Sequence, residues 1–166
     1  PDEESPSGTI AAATTTYQVG DFEKAAGMYM KLFNTWPNHR FAAYSMYMMA
    51  ECLASQKKYK EAIALNKTLV AKYPDSKMAV RAFYRAGCLL AGHMKQPDAA
   101  LLVFNEITKK YPDTSTAQDA AFNIAAIYLI RGNVEQAKAW FTTILMKNPT
   151  GHRAESAKKN LSELNN

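Results

Sequence analysis

Hydrophobic residues recur at intervals of three and four along most of the chain, and proline, glycine and asparagine divide that pattern into segments of helical length. From Phe22 to Trp36 the stripe consists of Phe22, Ala25, Ala26, Tyr29, Leu32, Phe33 and Trp36. Pro37 stops it, because proline breaks a helix and pushes the residue before it out of the helical region. The same reading predicts helices from Asn38 to Ser55, Tyr59 to Tyr73, Asp75 to Gly92, Pro97 to Tyr111, Asp113 to Ile130 and Val134 to Lys147. Ser5-Pro6 has the form of an N-cap followed by proline at the first helical position of an earlier helix, which Gly20-Asp21 ends while capping the next. In the tail, Ala154, Ala157, Leu161 and Leu164 share one stripe while Lys158, Lys159 and Glu163 lie off it. No segment alternates with a period of two between hairpin turns. The predicted fold is all-α.

The helices come in repeated pairs. An alanine is followed twelve residues later by a proline at Ala25/Pro37, Ala62/Pro74, Ala100/Pro112 and Ala137/Pro149, and the prolines are spaced 37, 38 and 37 residues apart. A fixed period of this size signals stacked supersecondary units. Alignment on the prolines gives columns with a physical meaning. Ala13, Ala50, Gly87 and Ala125 are small residues of the first helices, and Ala25, Ala62, Ala100 and Ala137 are their counterparts in the second. Tyr29, Phe104 and Phe141 form a column of large knobs that Asn66 interrupts, and Leu32, Leu69, Ile107 and Ile144 form an aliphatic one. Small-against-large layering lets antiparallel helix pairs reach interior packing density.

These columns and the closing prolines resemble the tetratricopeptide repeat, and the resemblance runs from about Ile10 to Leu164. It implies a right-handed superhelix, an α-solenoid of about four antiparallel pairs. The repeats would span approximately 9–37, 38–74, 75–112 and 113–149, with a capping helix over 152–164 and a linker or trimmed start over 1–8. The phrases Lys72-Tyr73-Pro74-Asp75-Ser76 and Lys110-Tyr111-Pro112-Asp113-Thr114, with Ala154-Glu155-Ser156-Ala157-Lys158-Lys159-Asn160-Leu161, are similar to a bacterial variant. That variant includes Tol–Pal-associated envelope proteins and BamD-type outer-membrane assembly lipoproteins. The resemblance therefore implies a periplasmic or envelope setting, with the cytoplasm as the alternative.

Charge and chemistry narrow the function. The chain of 166 residues has a formal net charge of +5, but its basic residues are scattered, with short clusters only at Lys57/Lys58/Lys60 and Lys158/Lys159. Nucleic-acid sites are denser, so solvated helix surface is the expectation and no nucleic-acid partner is expected. No apolar run approaches the ~18 residues of a membrane span. Cys52 and Cys88 fit no metal spacing and are expected to be buried free thiols. His39, His93 and His152 are dispersed, and the glycines make no phosphate loop. No catalytic residue, metal or cofactor is expected, and the chain reads as non-enzymatic.

What the resemblance implies is binding of a protein or peptide segment in a concave groove lined by the first helices. By column, Tyr44, Arg81 and Asp119 take the first groove position, Tyr47, Tyr84 and Phe122 the next, and Met48, Arg85 and Asn123 lie beside it, with Glu51 one turn further on. Aromatic and arginine side chains often dominate binding energy, and methionine adapts to varied apolar surfaces. Arg81 and Arg85 have two alternatives: a partner's carboxylate, or Glu51 and Asp119 of neighbouring repeats. A self-associating structural module without a peptide ligand is the alternative function.

Overall fold

The computed structural model describes residues 5–165. Among the described residues the secondary structure is nine α-helices: α1 (Pro6–Gln18), α2 (Phe22–Thr35), α3 (Ala42–Ser55), α4 (Tyr59–Lys72), α5 (Lys77–Gly92), α6 (Pro97–Lys110), α7 (Ser115–Ile130), α8 (Val134–Lys147) and α9 (Ala154–Leu164). They gather into two compact units, one reaching to Leu89 and one beginning at Leu90. The fold is all-α.

Helix α1 begins inside the segment expected to be linker. The Ser5 hydroxyl accepts the Gly8 N–H at 3.0 Å, and Pro6 at the first helical position is pre-set for the helix. The linker reading for residues 1–4 lies outside the described residues. Asp21 caps α2 by accepting from Lys24 N–H at 3.1 Å, and Thr114 caps α7 by accepting from Ala117 N–H at 3.1 Å. After Pro37 the helix starts four residues later than the pattern suggests. The chain first makes two tight turns, His39 N–H to Trp36 O and Ala42 N–H to His39 O. The turns inside the pairs share one backbone device. Gly20, Lys57, Lys95 and Gly132 all have φ between 54° and 87°, the left-handed region where glycine is free of strain and lysine is not.

The repeat columns are the core. All four second-helix alanines, Ala25, Ala62, Ala100 and Ala137, are fully buried, and so are Ala13, Ala50 and Ala125. Tyr29, Phe104 and Phe141 are buried beside them, as is the aliphatic column from Leu32 to Ile144. In the first unit, Ala13, Ala25, Tyr29, Met48 and Cys52 form one cluster. The Tyr29 ring meets Tyr44 edge-on at 6.3 Å, and its hydroxyl shares a 3.1 Å hydrogen bond with Thr14. In the second unit, Ala121, Ala125, Ala137, Phe141, Ile144 and Ala157 form another, with Leu161 and Leu164 of α9 packed on it. The tail thus covers the end of that unit, as a terminal repeat must.

Asn66 breaks the knob column. It is fully buried, and neither its amide nitrogen nor its oxygen has a hydrogen-bond partner.

Candidate functional site

The groove residues expected in the first unit come from α3 and α5, whose sequences place aromatic and charged side chains among alanines. Burial of Ala42, Ala43, Ala50, Ala79, Ala82 and Ala86 turns the remaining faces outward. Arg85 bridges the two helices, its Nε donating to Glu51 Oε1 at 2.7 Å. Of the two alternatives for Arg85, the neighbouring repeat is therefore the one realised. Burial works against the Arg85 cation, but the hydrogen bond and charge of Glu51 outweigh it and leave its pKa raised. Tyr47 lies half-buried in the fields of Glu51, Arg85, Arg81 and Tyr17, and its pKa is raised, first by burial and then by Glu51. Arg81 is exposed, and Tyr44 and Tyr84 are half-buried. Tyr47, Glu51, Arg81 and Arg85 therefore come together as one polar-aromatic face.

Met48 does not join them. It is buried in the α1–α3 cluster, because its position on α3 points toward Ala13, Ala25 and Tyr29 rather than outward. Cys52 is buried as expected, whereas Cys88 is only half-buried; neither is in a disulfide among the described residues.

In the second unit α7 carries Asp119, Phe122 and Asn123, all half-buried. Asp119 is engaged by the chain itself: its Oδ1 accepts from Arg153 Nε at 2.6 Å and lies 2.9 Å from His152 Nε2. The Arg153 guanidinium also stands 4.9 Å from the Phe122 ring centre, and Phe122 meets Phe141 edge-on at 5.5 Å. Asp119 and Phe122 are thus brought together as the seat for the start of α9. Sequence reasoning missed Arg153, His152 and Tyr17. One signal was present for Arg153: it follows Asp119 by 34 residues, the separation that also joins Glu51 to Arg85. Tyr17 has no such signal, since no aromatic follows it in its column.

Two buried groups beneath this face respond to alkali. Burial pushes the Tyr29 hydroxyl up to about 12 from 10.0, and burial followed by the Glu51 charge pushes the Cys52 thiol up to about 11 from 9.0. Both remain protonated in the fold at pH values where the unfolded chain has ionised them. Their stabilisation is fully present below pH 9 and drains as pH rises through the folded values, between about 9 and 12. The urea midpoint is expected to fall steadily across that window, with the part below pH 11 flattened in Cys52→Ala. A midpoint that stays level would contradict this assignment.

Among the described residues no group of three or more His, Cys, Asp and Glu side chains could hold a metal ion, and no helix is long and apolar enough to cross a membrane.

Comparison with known proteins sets this geometry in a family. A tetratricopeptide repeat protein from Parabacteroides merdae aligns with a TM-score of 0.74 and 16% identity over 96% of this chain, which spans 60% of that protein's length. Pseudomonas aeruginosa PilF aligns with a TM-score of 0.70 and 18% identity, covering 98% of this chain and 68% of its own. MamA from Desulfovibrio magneticus RS-1 aligns with a TM-score of 0.65 and 19% identity, covering 89% and 78%. At these identities the likeness shows the fold, a tetratricopeptide-repeat solenoid. No curated protein matches the sequence. The family profile described as YfiO, outer membrane lipoprotein, matches residues 2–166. Repeats of this class are in general protein-interaction scaffolds, and the chain belongs to the YfiO family of outer membrane lipoproteins.

Proposed function

We propose that this chain is a non-enzymatic scaffold that binds an extended or helical segment of a partner protein in its concave groove, within a multiprotein assembly of the bacterial envelope on the periplasmic side. The observation that carries this reading is the face around Tyr47, where an amphipathic aromatic ring is framed by the exposed Arg81 and by the Arg85–Glu51 pair. The paired Arg85 and Glu51 are held in place by each other and arrive at a ligand already ordered, which lowers the cost of binding. Arg81 has no such tether to α3 and supplies a guanidinium for a partner carboxylate. Tyr44 and Tyr84 extend the aromatic surface along the same helices. The family's outer-membrane description supports the envelope setting.

Charge reversal at Arg81 tests the recognition chemistry. Arg81→Glu is expected to weaken the captured segment at least tenfold, about 1.4 kcal/mol, measured by calorimetry with a peptide of that segment. Its exposed position makes the fold indifferent to the change. Unchanged affinity would remove Arg81 from the site.

A further inference from the structure

The second unit contains a cavity of about 400 Å³, within the size range of small-ligand sites. Its floor is apolar, from Ala117, Ala121 and Ile144, and Trp140 of α8 forms one wall. At about 100° per residue, Ala117 and Ala121 lie on the side of α7 opposite Asp119 and Asn123, while Gln118 stands one turn before Phe122 at the border between the two sides. None of the proposed groove residues of α7 lines the cavity.

Thr108 and Thr143 give their hydroxyls to carbonyls of their own helices, but the other five polar side chains around it are unengaged. Asp113, Gln118, Trp140, Lys147 and Asn148 all line the cavity, and none makes a side-chain hydrogen bond or ion pair among the described residues. Two other aspartates of the same unit are paired, Asp98 with Arg131 and Asp119 with Arg153. The Gln118 amide oxygen is buried without a partner and faces Gly151, where a side-chain carbon would meet it at 2.4 Å.

Chemistry decides between ligand classes. An anion would meet one lysine opposed by Asp113, and a cation would meet one aspartate opposed by Lys147. A purely apolar group would strip water from polar side chains of the lining, Trp140 and Asn148 first, and give nothing back, a penalty. The lining instead asks for a neutral molecule that both donates and accepts hydrogen bonds and has a flat apolar side for the indole. The available groups are Trp140 N–H, Lys147 and the Asn148 amide as donors, with Asp113 and the Asn148 oxygen as acceptors. A sugar ring fits this description: each hydroxyl gives and accepts, and its C–H face packs against an aromatic ring. We propose that this cavity is a binding site for a neutral saccharide.

The test uses the chain's two tryptophans. Trp36→Phe leaves Trp140 as the only indole, and its emission is followed during titration with N-acetylglucosamine, maltose and cellobiose. A parallel NMR titration of the unmodified protein follows the Trp140 indole N–H and the Gln118 and Asn148 carboxamides. The expected result is a saturable change at all three residues for at least one sugar, with Kd of about 1 mM or tighter, and weakening of at least fivefold in Asn148→Ala. Asn148 is not in the buried core, so this variant tests the site without emptying the interior. No saturable change with any of the three sugars would overturn the proposal. So would perturbation of these residues by a short neutral peptide while the sugars leave them unmoved.

Discussion

Replacing Phe141 by alanine is expected to destabilise the second unit by about 3–5 kcal/mol, the usual range for deleting a buried aromatic ring. Phe141 is almost wholly buried, sits in the cluster that joins α7, α8 and α9, and meets Phe122 edge-on at 5.5 Å. The ring therefore supports both the terminal packing of α9 and the aromatic on which Arg153 rests. Since whole domains are stable by only about 5–15 kcal/mol, the loss should appear as a large drop in the urea midpoint. It should also remove hydrogen-exchange protection first from α9. A loss under about 1 kcal/mol would mean that the column of large residues is not what holds the second unit together.

Asn66→Leu is expected to act in the opposite direction. Asn66 occupies the position where the other pairs carry Tyr29, Phe104 and Phe141, and its carboxamide is buried with both polar atoms unpartnered. An unsatisfied buried polar group costs about 1–3 kcal/mol. Leucine has the same branching at Cγ and brings only carbon to a site whose column elsewhere accepts larger side chains. The variant should therefore gain about 1–3 kcal/mol, seen as a raised urea midpoint with an unchanged slope. A destabilised variant would show that the amide is satisfied in solution and that its pocket is shaped to asparagine.

Both predictions rest on features visible in the bare sequence. The columns of alanine, aromatic and aliphatic residues were legible because burial at a repeat interface demands a fixed size at a fixed spacing, and Ala25, Ala62, Ala100 and Ala137 are all fully buried. The helix starts were less legible. Proline marks where a helix ends, but the turns from Pro37 to Ala42 depend on backbone hydrogen bonds that composition does not announce. The candidate site was legible by column and not by side chain. The columns put Tyr47, Arg81 and Arg85 on one face, yet placed Met48 beside them, although on α3 it turns into the core. The columns also could not show that Asp119 is taken by Arg153 and His152, because that contact comes from the terminal helix, which has no counterpart in the repeat.

The central claim is that the face around Tyr47 captures a partner. Its most direct test is a crosslinking pull-down from the native host with the full chain as bait. A Tyr47→Ala/Tyr84→Ala variant, shown by circular dichroism to keep its helical content, runs beside it. The expected result is a partner segment captured by the parent chain and lost from the variant, with crosslinks on α3 and α5. A partner held equally by both, or capture of nothing but further copies of this chain, would contradict it.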